Sequence, residues 1–217
     1  MIREVVGETW RLFLARFWRT LLIIAVLLAP LELGVTLLDP DFSSVEQGWW
    51  VWVGATAAMT VVAFPWAFGA IVHDVAAGDR PLLEGYRRTG GRLPDLIAST
   101  VVTTVGILLG LVALVVPGLV LLARWGLVVP LIVLEGADWR RALARSNALV
   151  RGQTRPVMAI FVLLTGLAFG VALIPVLIGY VVLENVLGAW LATLAIDVMM
   201  VSFYAFAPFV LYRRLTS

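Results

Sequence analysis

The chain has 217 residues, of which 62% are hydrophobic and 14% are charged, and its formal net charge at pH 7 is +2. Soluble domains carry about 25% charged residues, whereas apolar runs of about 20 residues, each able to cross roughly 30 Å of hydrocarbon, occupy most of this chain. This composition excludes a soluble catalytic domain and predicts a single integral membrane domain over residues 1–217. The absence of cysteine excludes disulfides and thiolate metal sites.

Hydropathy predicts six membrane-spanning helices paired into three hairpins, so the expected fold class is all-α. The third and fourth spans meet at Val116-Pro117-Gly118, a turn too short to leave the membrane interface. The fifth and sixth spans join around Glu184 and Asn185. The six predicted spans are residues 21–38, 51–72, 97–116, 119–134, 157–183 and 187–212.

The arginines predict the orientation of the chain, because positively charged loops remain in the cytoplasm. All 16 basic residues are arginine, and 15 of them lie before the first span, in the second and fourth loops, or after the sixth span. The opposite loops contain no arginine, and their charged residues are Asp39, Asp41, Glu46 and Glu184. We therefore predict that both termini are cytoplasmic.

An arginine-bearing amphipathic stretch precedes each hairpin. In residues 139–151, the apolar side chains fall within about 120° of a helical wheel and the arginines fall opposite them. Asp138 is placed to cap this helix and Gly152 to end it. The middle stretch is interrupted by Gly90 and Gly91 and predicts the poorest helix of the three. The arginines of the third stretch that we expect to face anionic headgroups are Arg140, Arg141, Arg145 and Arg151.

Two interpretations of these stretches remain open. They are surface elbows whose arginines meet anionic headgroups at roughly 1 kcal/mol each, or they form a collar that holds a particular lipid phosphate or an acidic partner. Ser146 lies within the apolar face of the third stretch. We expect its hydroxyl to bond to the helix backbone or to the end of span four near Glu135, a residue to which we assign a structural role.

A threefold repeat over residues 1–75, 76–137 and 138–217 is also predicted. Each unit has two small residues four positions apart in its first span and a proline in its second. Such small pairs favour close helix packing within one chain, and a homodimer interface is the alternative. The small pairs are Ala25 and Ala29, Gly106 and Gly110, and Gly166 and Gly170, and the prolines are Pro65, Pro130 and Pro208.

Three ionisable residues fall inside the predicted spans, where charge is costly and often functional. They are Glu32, Arg124 and Asp197, which we expect to form either a structural ion pair or a polar pathway. His73 and Asp74 end the second span, and a lone histidine beside one aspartate is too few ligands for a metal site. We interpret this pair as an interfacial helix end.

No motif for nucleotide binding or hydrolysis is present, so no cofactor or metal is expected. Nucleic acid is not an expected partner either, because the arginines lie along a membrane face. The expected partners are membrane lipids with anionic headgroups, and an additional protein partner or a second copy of the chain remains open.

A distinctive pattern occupies residues 117–156, PGLVLLARWGLVVPLIVLEGADWRRALARSNALVRGQTRP. It resembles the bacterial membrane families grouped around the glycerophosphoryl diester phosphodiesterase membrane domain, and the likeness extends over nearly the whole chain. The resemblance implies a six-span protein of the bacterial plasma membrane. In some relatives the domain accompanies a soluble phosphodiesterase barrel, which these residues lack, so that metal-dependent activity is not expected. The matching residues are Pro117, Gly118, Arg124, Trp125, Pro130, Glu135, Ala142, Leu143, Arg145, Ser146, Arg151 and Gly152.

Three functions follow as hypotheses. The first is a non-enzymatic membrane protein that organises or binds anionic lipid or a membrane partner through its arginine-lined cytoplasmic face. The second is a small transporter or exporter component that uses Glu32, Arg124 and Asp197 as its polar path. The third, which we favour least, is a membrane-bound lipid phosphodiesterase.

Overall fold

The computed structural model describes residues 2–38, 48–78, 81–178 and 185–216, and every regular element in those ranges is a helix. Six helical stretches are long and apolar enough to cross a membrane, so the predicted all-α, multi-pass fold class is confirmed. Four acidic loop residues used for orientation, Asp39, Asp41, Glu46 and Glu184, lie outside the described residues, as does Arg80. The helices are α1 Ile2–Leu38, α2 Gly48–Ala58, α3 Phe64–Ala77, α4 Leu82–Gly90, α5 Leu93–Ala113, α6 Val115–Trp125, α7 Val128–Glu135, α8 Trp139–Val150, α9 Thr154–Val176 and α10 Val186–Thr216.

Helix α1 differs from the expected surface helix followed by a span, because it continues unbroken for 37 residues. At about 1.5 Å per residue it is roughly 55 Å long, well beyond the roughly 30 Å of a hydrocarbon core. Gly7 is the only glycine of α1 before Gly34, and the first proline is Pro30, so nothing interrupts the helix where the amphipathic stretch meets the span. The other two amphipathic stretches do form separate helices, α4 and α8.

The second span contains a π-helical segment, Met59–Ala63, between α2 and α3. Pro65 follows in the first turn of α3. A proline has no N–H to donate to the carbonyl four residues earlier, and local widening of the helix is one way to accommodate that loss. The proline of the second span therefore coincides with a departure from regular α-helix.

The fourth span also changes course before its proline. It consists of α6 and α7, which are separated by a turn at Gly126 and Leu127. Pro130 lies in the first turn of α7, where its missing N–H is not needed by the helix. In an unbroken helix Pro130 would clash with the preceding turn, so the break moves it to a tolerated position.

The hairpin between spans three and four is confirmed, but its turn lies earlier than Val116-Pro117-Gly118. Helix α5 ends at Ala113, Leu114 is extended, and α6 begins at Val115. The physical reason is that a proline near a helix start is well tolerated, so Pro117 belongs to the helix. Gly118 packs so tightly that a Cβ there would lie 2.5 Å from Leu111 Cγ.

The two terminal helices, α1 and α10, pack against each other along their length. Near one end, Trp190 Nε1 donates to the carbonyl of Ala29 over 3.0 Å. Farther along, the rings of Phe13 and Phe203 stack with their centroids 5.2 Å apart. The buried core of the protein continues from this contact into α3, α7, α8 and α9.

Candidate functional site

We call one end of the bundle the arginine-rich end. It is formed by α4, α7 and α8, together with the starts of α1 and α5 and the ends of α3 and α10. Asp74 lies at its centre and is only 8% exposed. Its carboxylate accepts from Arg16 Nη1 at 3.1 Å and from Arg19 Nη2 at 2.5 Å. The His73-Asp74 pair is thus anchored to α1 by a double ion pair, as expected of a structural helix end.

The two chain ends meet at the same place. Arg214 near the end of α10 contacts Glu4 Oε2 at 2.7 Å and Glu8 Oε2 at 3.0 Å. The first and last helical turns of the described chain are therefore joined by ion pairs. These contacts use acidic residues of the first amphipathic stretch.

The four arginines of residues 139–151 are all exposed, and two of them form ion pairs with acidic residues of this chain. Arg145 Nε lies 2.7 Å from Glu135 Oε2, and Arg141 Nε lies 3.1 Å from Asp138 Oδ2. Arg140 lies over the ring of Trp139, 5.0 Å from its centroid. Arg151, which directly follows α8, has no such contact with a described residue.

Asp138 and Glu135 fix the two ends of the link between α7 and α8. Asp138 caps α8 as predicted, accepting from the backbone N–H groups of Arg140 at 3.1 Å and Arg141 at 3.0 Å. The backbone N–H of Arg141 is the main reason that the pKa of Asp138 is below its ordinary value. Glu135 accepts from the Tyr212 hydroxyl at 3.1 Å, so it joins α7 to α10 as well as to α8.

Ser146 contacts a different part of span four from the one predicted, which was the end near Glu135. Its hydroxyl donates to the carbonyl of Arg124 over 2.6 Å and accepts from the backbone N–H of Leu127 over 3.3 Å. Ser146 is fully buried and bonds two backbone groups at the break between α6 and α7. It therefore stabilises the break in the middle of the span rather than the end near Glu135.

A polar cavity of about 330 Å³ opens at the arginine-rich end. Arg88 and Arg92 supply its positive charge, and Arg92 makes no ion pair with a described residue. Gly136, which ends α7 and has a φ of +66°, lies close to this arginine. A Cβ added to Gly136 would be 2.8 Å from Arg92 Nη2. We call this space the arginine cavity, and it is lined by His73, Arg88, Thr89, Arg92, Val133, Leu134, Glu135 and Gly136.

Helix α4, which carries one wall of the arginine cavity, is firmly held despite its short length. Trp66 Nε1 donates to the carbonyl of Tyr86 over 3.0 Å, and the Tyr86 hydroxyl donates to the carbonyl of Ile23. Burial raises the pKa of that hydroxyl above its ordinary value. Sequence reasoning missed this cavity, because its residues come from three distant segments and the middle stretch had the weakest helical pattern.

The structure brings together two of the three intramembrane residues. Glu32 on α1 and Asp197 on α10 are 5% and 7% exposed, and their carboxyl groups lie close enough to interact with each other. We call them the acidic pair.

Arg124 is not part of this pair. It is exposed at the end of α6, whereas the adjacent Trp125 faces the inside of the protein. Successive residues of a helix point about 100° apart, which explains why depth alone did not predict the direction of the Arg124 side chain. The expected three-residue cluster is therefore a pair.

Two cavities adjoin the acidic pair. The larger, called the central cavity, has a volume of about 500 Å³ and is lined by Asp197. The smaller, of about 190 Å³, is lined by Glu32. Thr60 and Phe64, at the π-helical segment and its end, line both cavities. No group of three histidine or acidic residues able to hold a metal occurs in the described parts of the chain.

Comparison with known proteins agrees with the pattern at residues 117–156. The family model described as the membrane domain of glycerophosphoryl diester phosphodiesterase matches residues 91–213, more than half of the chain, and the match leaves α1 to α4 outside. No curated protein matches the chain, and no solved structure does. The chain is a multi-pass membrane protein and belongs to the glycerophosphoryl diester phosphodiesterase membrane domain family.

Proposed function

We propose that this chain is a non-enzymatic protein of the bacterial plasma membrane that binds an anionic lipid headgroup in the arginine cavity. In this proposal the arginine-rich end and both termini face the cytoplasm, in agreement with the retention of positive loops on that side. The observation that carries the proposal is the meeting of Arg88 and Arg92 in one polar cavity at the ends of three spans.

The chemistry of the cavity suits a phosphate group. Arginine presents several N–H donors in a plane that matches phosphate oxygens. Arg92 is exposed and has no ion pair with a described residue, so its donors are available. Arg88 pairs with Glu84 at 2.8 Å, but its side chain is still 58% exposed. His73 adds a polar side chain to the lining beside these two guanidinium groups.

The position of the cavity suits a headgroup rather than a lipid tail. Its walls come from the end of α3, from α4 and the residue before α5, and from the end of α7. Span ends lie at the level of the lipid phosphates when the spans cross the hydrocarbon core. The acidic residue that the described lining contains, Glu135, is paired with Arg145 at 2.7 Å, which reduces its repulsion of an anion.

The test is retention of phosphatidylglycerol by the purified full-length protein, measured by native mass spectrometry against phosphatidylcholine. Arg92→Gln removes one charge from the cavity, and at about 1 kcal/mol per arginine we expect roughly fivefold weaker binding. Arg151→Gln is the matched control, since Arg151 is exposed and lies outside the cavity lining. Equal losses in both variants, or no preference for phosphatidylglycerol, would reject the proposed site.

A transporter or exporter component is the second candidate function, and one observation favours it. Asp197 lines one cavity and Glu32 lines a second, and a polar path that joined the two cavities would run beside the acidic pair. Proton uptake into proteoliposomes, followed with an internal pH-sensitive dye, tests this candidate. Uptake that Asp197→Asn abolishes supports it, whereas traces equal to those of protein-free vesicles count against it.

A further inference from the structure

The central cavity has mainly apolar walls contributed by five of the six spans. Its volume of about 500 Å³ lies within the range of roughly 300–1,000 Å³ typical of small-molecule sites. Neither arginine nor histidine lines it among the described residues, and its one carboxyl group belongs to Asp197. Six aromatic side chains line the cavity: Phe64, Phe68, Trp125, Phe161, Phe169 and Tyr204.

Several hydroxyl groups of the lining are already engaged inside the protein. Thr60 Oγ1 donates to the carbonyl of Thr56 over 2.8 Å, and Thr103 Oγ1 donates to that of Ser99 over 2.8 Å. The Tyr204 hydroxyl lies 2.8 Å from Thr165 Oγ1. The carboxyl group that the described lining offers to a ligand is that of Asp197, beside the hydroxyls of Thr100 and Thr104.

Asp197 is incompletely satisfied for so buried a group. Only 7% of the residue is exposed, and no amide, hydroxyl or guanidinium group of the described residues donates to its Oδ2. The polar group in contact with it is the carboxyl of Glu32, which brings no positive charge. Buried carboxylates in proteins are normally paired with a cation or with several donors.

We propose that the central cavity binds a lipophilic organic cation, with the cationic centre beside Asp197 and the apolar substituents against the aromatic walls. A positive ligand supplies the counter-charge that the described protein residues do not place next to Asp197. Aromatic faces attract cations electrostatically, and the apolar lining favours burial of the substituents. The proposal concerns binding alone and does not depend on headgroup binding in the arginine cavity.

The probe is tetraphenylphosphonium, and tetraphenylborate serves as an anion of matched size and shape. Equilibrium binding of each is measured with the purified full-length protein in nanodiscs, relative to empty nanodiscs. We expect saturable binding of the cation, no saturable binding of the anion, and at least tenfold weaker cation binding by Asp197→Asn. Asp138→Asn makes the same chemical change at a surface helix cap and is expected to leave binding unchanged.

A second variant keeps the test informative if Asp197→Asn does not fold. Thr104 lines the central cavity and is exposed, so Thr104→Phe fills part of the space without removing a buried hydrogen bond. We expect it to weaken cation binding at least tenfold in a protein that still elutes as a folded species. Saturable binding of tetraphenylborate, no saturable binding of the cation, or a smaller loss in the folded variants overturns the proposal.

Discussion

Replacement of Ser146 by alanine is expected to destabilise the break in the fourth span. The hydroxyl bonds the carbonyl of Arg124 at 2.6 Å and the N–H of Leu127 at 3.3 Å, and Ser146 is fully buried. Each buried group left unsatisfied costs about 1–3 kcal/mol. Because the bond from Leu127 is long, we expect a total loss of about 2–4 kcal/mol in the free energy of unfolding.

The assay is unfolding of the full-length protein in mixed micelles by sodium dodecyl sulfate, followed by tryptophan fluorescence. Ser202→Ala is the matched control, because Ser202 is also fully buried but donates to Val198 one turn earlier in its own helix. That carbonyl has a helical partner, so we expect a loss of about 1 kcal/mol or less. A Ser146→Ala variant that loses no more stability than Ser202→Ala would refute this account of the break.

Three further predictions concern the helix contacts. Asp74→Asn leaves two arginines of α1 without their shared carboxylate and should cost about 2–4 kcal/mol of unfolding free energy, measured by the same denaturant titration. Gly118→Ala should lower the thermal stability because its Cβ would lie 2.5 Å from a leucine side chain, whereas Gly166→Ala, with nothing within 4 Å, should change it little. The lowered pKa of Asp138 implies stabilisation present above its ordinary pKa of 3.8 and lost as pH falls through the lowered value, so Asp138→Asn should flatten the acid limb of a stability–pH curve. A variant with the wild-type acid limb would contradict this last expectation.

Membrane spans were predictable because their signal is local. The length of an apolar run alone decides whether it can cross the bilayer, and the six predicted runs correspond to six helical stretches in the structure. The cap at Asp138 was equally local, since an aspartate directly before an amphipathic run has few alternative roles. The threefold repeat stays a prediction. In its first two units, the proline of the second span, Pro65 or Pro130, coincides with an interruption of regular α-helix.

Contacts between distant segments were less predictable. Glu32 and Asp197 were chosen for their depth, and they do meet, but Arg124 has a similar depth and is exposed because of its position around the helix. The arginine cavity depends on how α4 packs against α3, where Thr89 lies so close to Gly69 that an added Cβ there would be 3.1 Å from Thr89 Cγ2. Amphipathicity identified charged faces, but it did not indicate which arginines are paired with acidic residues of the same chain.

Site-specific photo-crosslinking in native membranes tests the central claim, anionic headgroup binding in the arginine cavity, most directly. A benzophenone side chain is placed at Leu134, which lines that cavity, or at Leu114, an exposed residue in the turn between α5 and α6. Lipid adducts are identified by mass spectrometry after irradiation. We predict that anionic phospholipid dominates the adducts at Leu134 and not those at Leu114. The same lipid composition at both positions would contradict the account.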